Sequence, residues 1–322
     1  MPASKEHTLG EFDLIRRFFA SETDADGVVQ GIGDDCAILL PPPGQLLATS
    51  VDTLVSEVHF PANADPADLA NRALRVNLSD LAACAAQPLW FTLALTLPEP
   101  DTVWLEGFSR GLREAAQKFG IALVGGDTTR GPLCITIQVT GAAERPLTRA
   151  GAQPGDLVYV TGELGAGAAA LPLVLSGDAG ASHWVQARNA FYYPQPQLEA
   201  AALIAPFASA ALDVSDGLLA DLGHICEQSG VGAEVHAEKV PVAELAAQTL
   251  DHDAALAMAV SGGDDYQLCF TVPAQSRSEL ERLVSAGVLE ATEIGRVIEG
   301  NAVRMLKSGA EWQPPATGYT HF

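Results

Sequence analysis

Apolar runs that end in aspartate recur in both halves of the chain, and this pattern constrains the fold more than any other feature. Several of these aspartates stand beside glycine, which tolerates tight turns. The segments are Gly33-Asp34-Asp35, Val51-Asp52-Thr53, Ser79-Asp80, Gly126-Asp127, Asp213–Gly217 and Gly262–Asp265. Carboxylates at strand ends are well placed to share a cleft, and Mg²⁺ takes oxygen ligands that bridge it to substrate phosphates. The pattern therefore predicts a site for several metal ions and phosphate groups.

The charge of the chain argues against one class of partner. Its 322 residues include 18 Lys and Arg against 40 Asp and Glu, a formal net charge of -22. Nucleic-acid binding needs clustered basic residues, so we expect no nucleic-acid partner. Solubility explains most surface acids, but not the aspartates within apolar, glycine-rich segments. An anionic substrate would need cations to bind here, which a metal site supplies.

The cysteines and the hydropathy pattern predict a cytoplasmic protein. The five cysteines are scattered and never form a Cys-x-x-Cys pair, which argues against a disulfide framework and a zinc site. No uninterrupted apolar span reaches the length of about 20 residues that crosses a bilayer. We therefore expect a reducing compartment and no membrane partner.

Strands and helices alternate in both halves, which predicts a two-domain α+β or α/β protein. A stretch rich in Pro, Gly and polar residues around Arg145–Asp156 places the boundary, giving domains over residues 1–145 and 146–322. The clearest predicted helices cover residues 11–19, 66–85, 102–119, 194–204, 218–229 and 276–286, and the clearest strands cover 46–51, 121–124, 134–139, 157–160, 210–214, 232–237 and 267–272. In this prediction most of the aspartates follow strands directly.

The motifs of several other enzyme classes are absent from the sequence. There is no Gly-x-x-x-x-Gly-Lys-[Ser/Thr] loop, and no lysine stands in a glycine loop, so P-loop and protein-kinase-like sites are excluded. The glycine turn over Gly162–Gly167 has a spacing reversed relative to Gly-x-Gly-x-x-Gly. It favours a strand-to-helix turn over a phosphate-binding loop. Metal-assisted chemistry on phosphates is the leading enzyme class.

Each candidate residue taken alone also has a simpler explanation. Asp beside Gly is commonly a turn, and Asp before a helix is commonly an N-cap, which describes Asp80, Asp216 and Asp265 taken singly about as well as a site does. Arg149 is either a phosphate clamp or a loop cation, and His59 and Tyr319 are uninformative alone. As a set the aspartates favour a site, because turns and caps use Asn or Ser as readily.

Short motifs along the whole chain carry a family resemblance. They are Gly10–Ile15 (GEFDLI), Gly31–Ala37 (GIGDDCA), Val51–Val55 (VDTLV) with His59-Phe60, Val76–Ala82 (VNLSDLA), Gly125–Gly131 (GGDTTRG), Asp213–Leu218 (DVSDGL), Ser261–Tyr266 (SGGDDY) and Gly318–Phe322 (GYTHF). Together, and in this order, they resemble the thiamine-monophosphate kinase family, part of the AIR-synthetase-like (PurM-like) ATP-binding superfamily.

This resemblance implies a fold and an activity. The fold is a PurM-like two-domain fold, with an N-terminal α+β domain whose sheet forms a homodimer, followed by a C-terminal α/β domain. The activity is ATP-dependent phosphorylation of thiamine monophosphate to thiamine diphosphate, the last step of thiamine diphosphate biosynthesis, assisted by several Mg²⁺ ions. No general base is assigned, because the acceptor phosphate has a second pKa near ~6 and is largely ionised at neutral pH.

Matched motif by motif, the resemblance implies three groups of site residues. The metal ligands are Asp35, Ser50, the Val51 carbonyl, Asp52, Asp80, Asp127, Asp213 and Asp216. The ATP contacts are Gly126, Asp127, Arg149 and Ser215, and the thiamine phosphate contacts are His59, Asp264 and Tyr319. Two positions depart from the family pattern. Val51 stands where Thr is frequent, and Asp264 stands where Glu is more usual, so its carboxylate is one methylene shorter.

Two alternatives are compatible with the same motifs. One is another activity of the superfamily, such as aminoimidazole ribonucleotide synthetase or selenophosphate synthetase. The latter would carry a reactive Cys or selenocysteine with a nearby Lys close to its N-terminus, whereas the first cysteine here is Cys36, inside a metal motif. The other is a non-catalytic regulator that binds Mg²⁺ and nucleotide, which the complete set of aspartates disfavours.

Overall fold

The structure of the protein, a computed structural model, describes residues 10–20, 25–315 and 318. Two compact units make up the chain. The first comprises Met1–Asn77 and Pro88–Ala142, and the second comprises Leu78–Gln87 and Ala143–Phe322. The domain boundary between residues 145 and 146 stays a prediction. No helix in the described ranges is long and apolar enough to cross a membrane.

The first unit is built on a four-stranded sheet. Its elements, with the helix that continues into the second unit, are α1 (Glu11–Leu14), β1 (Val28–Gln30), β2 (Ile38–Leu39), β3 (Leu46–Val55), α2 (Pro66–Ala83), β4 (Gln87–Leu97), α3 (Thr102–Phe119), β5 (Ala122–Arg130) and β6 (Cys134–Ala143). A π-helical turn over Ile15–Phe19 extends α1, and β1 pairs with β2 in a separate small sheet. The order in the larger sheet is β3-β6-β4-β5, so β3 lies at one edge.

Each of the two long helices, α2 and α3, begins directly after an aspartate that caps it. Asp65 Oδ1 accepts the backbone N–H groups of Ala67 and Asp68, and Pro66 is the first residue of α2. Asp101 caps α3 in the same way, and the helix ends at Gly120 in the left-handed conformation. Such caps satisfy backbone donors that have no partner within the helix.

Two aspartates predicted to follow strands lie inside them, which corrects the sequence prediction. Asp52 belongs to β3, and Asp127 belongs to β5, three residues before the strand ends. Strand β5 continues because it pairs in parallel with β4 beyond its apolar part, Ala94 opposite Asp127. A bulge where the register shifts, between Leu123 and Gly125, lets the strand pass into its glycine segment.

The second unit is built on a seven-stranded sheet in the order β13-β12-β9-β11-β7-β10-β8. Its elements are β7 (Leu157–Thr161), α4 (Ala166–Ser176), α5 (Trp184–Tyr192), α6 (Leu198–Ile204), β8 (Ala210–Asp213), α7 (Leu218–Ser229), β9 (Gly232–His236), α8 (Glu244–Thr249), α9 (His252–Ser261), β10 (Leu268–Val272), α10 (Arg277–Ser285), β11 (Ala291–Ile298), β12 (Val303–Lys307) and β13 (Ala310–Glu311). Successive residues of β7 enter different cores: Val158 and Val160 pack in one cluster and Tyr159 in another. Hydrophobic cores therefore cover both faces of this sheet.

Candidate functional site

Strand β3 carries three of the predicted metal ligands. Ser50 and Asp52 are half-buried, whereas the intervening Val51 side chain is 58% exposed. Because successive side chains of a strand point to opposite faces, Ser50 and Asp52 share one face and Val51 points away. Val51 can therefore contribute only its backbone, and not its side chain, to a site on the face that carries Ser50 and Asp52.

Asn77 of α2 holds β3 at the position of Asp52. The backbone N–H of Asp52 donates to Asn77 Oδ1 at 3.0 Å, and Asn77 Nδ2 donates to the Ala73 carbonyl at 2.8 Å. Asn77 is 1% exposed. Its amide is therefore fixed on both sides, and it fixes the backbone that presents the Asp52 carboxylate.

His59 lies on the turn that follows β3, with a defined tautomer. The backbone N–H of Val55 donates to His59 Nδ1 at 3.0 Å, and the His59 backbone N–H donates to the Val55 carbonyl at 2.9 Å. Because Nδ1 accepts a hydrogen bond, the neutral imidazole carries its proton on Nε2. The ring is thus set to offer an N–H donor from Nε2.

Gly126 and Asp127 occupy the exposed part of β5. Gly126 has a φ of 154°, and a Cβ at this position would overlap the Leu93 carbonyl of the neighbouring strand. Only glycine fits this close approach. The next side chain, Asp127, is exposed.

Asp35 lies on an exposed turn between β1 and β2. Its backbone N–H donates to Oδ1 of the adjacent Asp34 at 2.8 Å. Asp35 is exposed in this position.

In the second unit, the end of α2 and the end of β8 bring Asp80 and Asp213 together. Asp213 is 6% exposed, and Ser79 Oγ donates to its Oδ2 at 2.7 Å. Burial raises the pKa of Asp213 most, and the negative charge of Asp80 raises it further, to about 7. The hydrogen bond from Ser79 lowers this pKa. Two carboxylates that disfavour each other's ionisation form a donor set that a cation would stabilise.

Arg149, Asp80 and Asp213 all lie close enough to Cys84 to influence its thiol. Burial raises the pKa of the Cys84 thiol, Asp80 and Asp213 raise it further, and Arg149 lowers it. The Leu147 backbone N–H donates to the Cys84 carbonyl at 3.0 Å, which ties the Arg149 segment to the end of α2. Arg149 is exposed, and its position near two carboxylates suits a cation that contacts phosphate.

A single carboxylate oxygen holds the loop that contains Ser215 and Asp216. Asp221 Oδ2 accepts the backbone N–H groups of Ser215, Asp216 and Gly217, each at 3.0 Å. Asp221 is 3% exposed, and burial raises its pKa to about 6 although the three N–H donors lower it. This buried acid fixes the turn and leaves the Ser215 and Asp216 side chains half-buried.

Asp265 holds the glycine turn in front of α4. Its Oδ2 accepts the Gly165 N–H at 2.7 Å and its Oδ1 accepts the Gly167 N–H at 3.2 Å. Burial raises the pKa of Asp265 to about 7. Because an internal carboxylate already occupies these amides, the structure confirms the interpretation of Gly162–Gly167 as a strand-to-helix turn.

The structure thus describes all of the predicted site residues except one. Tyr319 lies outside the described residues. Asp80 and Asp213 come together, and Ser50 and Asp52 share a strand face. Across residues 10–20, 25–315 and 318, no group of three or more His, Cys, Asp or Glu side chains lies close enough together to hold a metal ion.

Two family models and several known proteins match the chain. Residues 33–143 match the N-terminal domain of AIR synthase related proteins, and residues 153–307 match the C-terminal domain. The thiamine-monophosphate kinase of Salmonella typhimurium is 44% identical over 327 residues, which cover 97% of this chain and 98% of that protein. This chain belongs to the thiamine-monophosphate kinase family.

Solved structures of the family share its fold. The crystal structure of thiamine-monophosphate kinase from Stenotrophomonas maltophilia has a TM-score of 0.84 and 42% identity, and the match covers 94% of this chain and 98% of that one. The structure of AaThiL complexed with AMPPCP and TMP has a TM-score of 0.78 and 30% identity, covering 88% and 89%. These matches confirm the predicted two-domain PurM-like fold.

Four residues of this family member that position the site were not assigned a role from the sequence. Asn77 and Ser79 stand in the Val76–Ala82 motif of α2, and Asp221 and Asp265 are buried acids in apolar segments. Asp221 had a usable signal: it stands in the first turn of α7, where an acidic side chain can reach back to backbone N–H groups at the start of the helix. The partner of Ser79 lies 134 residues away in the sequence, and no local pattern predicts it.

Proposed function

We propose that the chain catalyses transfer of the γ-phosphoryl group of ATP to thiamine monophosphate, giving thiamine diphosphate and ADP. The observation that carries the proposal is the 44% identity, over nearly the whole of both chains, to a thiamine-monophosphate kinase. It is supported by the likeness to AaThiL, whose structure holds AMPPCP and TMP. ATP is the co-substrate.

The acceptor needs orientation more than activation. A phosphate monoester has a second pKa near ~6, so its oxygen is already a nucleophile at neutral pH. His59 presents an N–H donor from Nε2 because Nδ1 accepts from Val55. In the proposal, His59, Asp264 and Tyr319 contact thiamine monophosphate, and no side chain acts as a general base.

The main obstacle is repulsion between two polyanions, and Mg²⁺ fits the donor set that the chain supplies. The proposed ligands are oxygen donors, which a hard cation prefers: Asp35, Ser50, the Val51 carbonyl, Asp52, Asp80, Asp127, Asp213 and Asp216. The closeness of Asp80 to the buried Asp213 supports this choice, because a divalent ion would offset their repulsion. When bound, Mg²⁺ would neutralise phosphate charge in the ground and transition states.

The ATP contacts combine backbone groups, a hydroxyl and a cation. Gly126 brings the backbone of β5 close to β4, and Asp127 follows it in the strand. Ser215 stands on the loop that Asp221 fixes, and Arg149 offers a guanidinium near Asp80 and Asp213. We assign these four residues to ATP.

The proposal extends to a homodimer formed through one face of the four-stranded sheet. Leu47 and Val51 of edge strand β3 are 50% and 58% exposed on the same face. On this face Thr53 of β3 and Thr136 of the adjacent strand β6 share a hydrogen bond of 2.8 Å. An exposed sheet face with apolar side chains at an edge favours association with a second copy.

The free cysteines and the use of ATP support a cytoplasmic location. All five cysteines are free thiols, and such thiols persist in a reducing compartment. ATP supply points the same way, so we assign the protein to the cytoplasm. With a net charge of -22, we assign it no nucleic-acid partner, and we assign it no membrane partner.

An ADP-release assay with and without thiamine monophosphate tests the activity. A kinase releases ADP only when the acceptor is present. A nucleotide-binding regulator releases none under either condition, and that result would overturn the proposal.

A further inference from the structure

The segment before β10 holds two non-glycine residues in the left-handed region of backbone conformation. Asp264 has a φ of 68° and Tyr266 has a φ of 53°. Non-glycine residues adopt this conformation uncommonly, Asp more often than a bulky residue such as Tyr, and residues held in this way cluster at functional sites. Asp264 is also one of the three residues that the family resemblance predicts to contact the thiamine phosphate.

Three sets of contacts fix the backbone of this segment. The Asp264 N–H donates to the Ser215 carbonyl at 2.9 Å, and the Tyr266 N–H donates to the Val214 carbonyl at 2.8 Å. Between them, the Asp265 carboxylate accepts N–H groups from the turn before α4. The first turn of α4 also packs closely, because a Cβ on Gly167 would overlap the Asp264 carbonyl. The direction of the Asp264 Cα–Cβ bond is therefore set by the fold.

The side chain of Asp264 is fixed by a separate contact. Tyr266 Oη donates to Asp264 Oδ1 at 2.8 Å, and Tyr266 itself is only 8% exposed. A phenol in a packed ring cannot follow the carboxylate through its rotamers, so the bond selects one of them.

We propose that Tyr266 is a positioning residue that orients the Asp264 carboxylate toward the thiamine part of the substrate. This inference rests on the proposed function. Thiamine monophosphate carries a cationic thiazolium and an aminopyrimidine, and a carboxylate attracts the first and accepts a hydrogen bond from the second. A short Asp side chain reaches less far than Glu, so its orientation matters more. Tyr266 contributes to selection of a cationic heteroaromatic phosphate ester over other phosphate monoesters.

Steady-state kinetics of Tyr266→Phe tests this role, because the variant removes the hydroxyl and keeps the ring. We expect KM for thiamine monophosphate to rise about tenfold, the effect of one hydrogen bond to a charged group. KM for ATP, kcat and the thermal unfolding midpoint stay close to those of the wild type. Tyr159→Phe is the matched control: Tyr159 is a buried tyrosine of the same unit whose hydroxyl lies 3.5 Å from Glu293. It leaves both KM values unchanged.

A double-mutant cycle separates positioning from packing. Asp264→Gly removes the carboxylate without strain, since glycine adopts a positive φ freely. In that background Tyr266→Phe has no further effect on KM for thiamine monophosphate. Equal effects on both substrates, additive effects in the cycle, or an unchanged KM in Tyr266→Phe would each overturn the proposal. An unchanged KM for thiamine monophosphate in Asp264→Gly would also overturn the proposal, because the Asp264 carboxylate would then not contact the substrate. Wild-type protein that makes no thiamine diphosphate would instead refute the proposed function.

Discussion

Ser79 Oγ donates a 2.7 Å hydrogen bond to Oδ2 of Asp213, 134 residues later in the chain. Ser79 is fully buried in α2, and Asp213 is the last residue of β8. This bond and the neighbouring Asp80 place a hydroxyl and two carboxylates together in the second unit. The fold itself brings the Asp80 and Asp213 carboxylates together, which is the physical basis for assigning these two side chains to Mg²⁺.

Removing the charge of Asp52 in β3, or of Asp127 in β5, should slow catalysis strongly. We expect Asp52→Asn and Asp127→Asn to lower kcat at least about a hundredfold, because a weakened metal site stabilises less phosphate charge. Far-UV circular dichroism and the thermal midpoint stay as in the wild type. Glu144→Gln, a change at an exposed acid, is the control and retains activity. Near-normal turnover of both variants at saturating Mg²⁺ would remove Asp52 and Asp127 from the metal ligands.

The Asp221 side chain should contribute to stability through one oxygen. Asp221→Ala leaves three buried or half-buried N–H groups without their acceptor, and we expect unfolding free energy to fall by at least about 3 kcal/mol. Asp221→Asn retains a carbonyl oxygen, so its loss is about 1 kcal/mol. Urea unfolding of the two variants measures the difference. Equal losses would show that the charge of Asp221, and not its acceptor oxygen, matters.

Titration of Asp265 should make stability depend on pH. Burial raises its pKa in the folded protein from the ordinary 3.8 to about 7. Its contribution is therefore fully present below about pH 4 and is lost as the pH rises through about 7. Between pH 5 and 7 we expect the wild type to lose up to about 1.4 kcal/mol per pH unit relative to Asp265→Asn.

Urea unfolding of both proteins at pH 5, 6, 7 and 8 measures this difference. Groups common to the two proteins, including Asp213 and Asp221, cancel in the comparison. A difference in stability that does not vary with pH would show that Asp265 does not titrate in this range.

A charge on the exposed sheet face should prevent self-association. The chain has a mass of 33.6 kDa, and we expect wild-type protein to sediment at twice that mass. Leu47→Glu should sediment at the mass of one chain, because burying an unpaired carboxylate costs several kcal/mol. Leu175→Glu is the control, since Leu175 is 60% exposed in the second unit; it should remain dimeric. A wild-type protein that sediments as one chain would contradict the dimer.

Sequence patterns predicted local structure well and long-range partners poorly. Helix α7 begins and ends where apolar periodicity and Gly230 indicate, and the Asp65 cap opens α2 as expected. The sequence prediction omitted strand β4 (Gln87–Leu97), although Leu93, Leu95 and Leu97 alternate with less apolar residues and are buried in the structure. In β5 the bulge near Val124 and the pairing with β4 carry the strand through Asp127, which no local signal reveals.

The most direct test of the account is phosphorus NMR of the products that wild-type protein forms from ATP, Mg²⁺ and thiamine monophosphate. We predict that thiamine diphosphate and ADP appear in equal amounts, and that ADP does not form when another phosphate monoester replaces the acceptor. ADP with inorganic phosphate and no thiamine diphosphate, or no turnover at all, would contradict it.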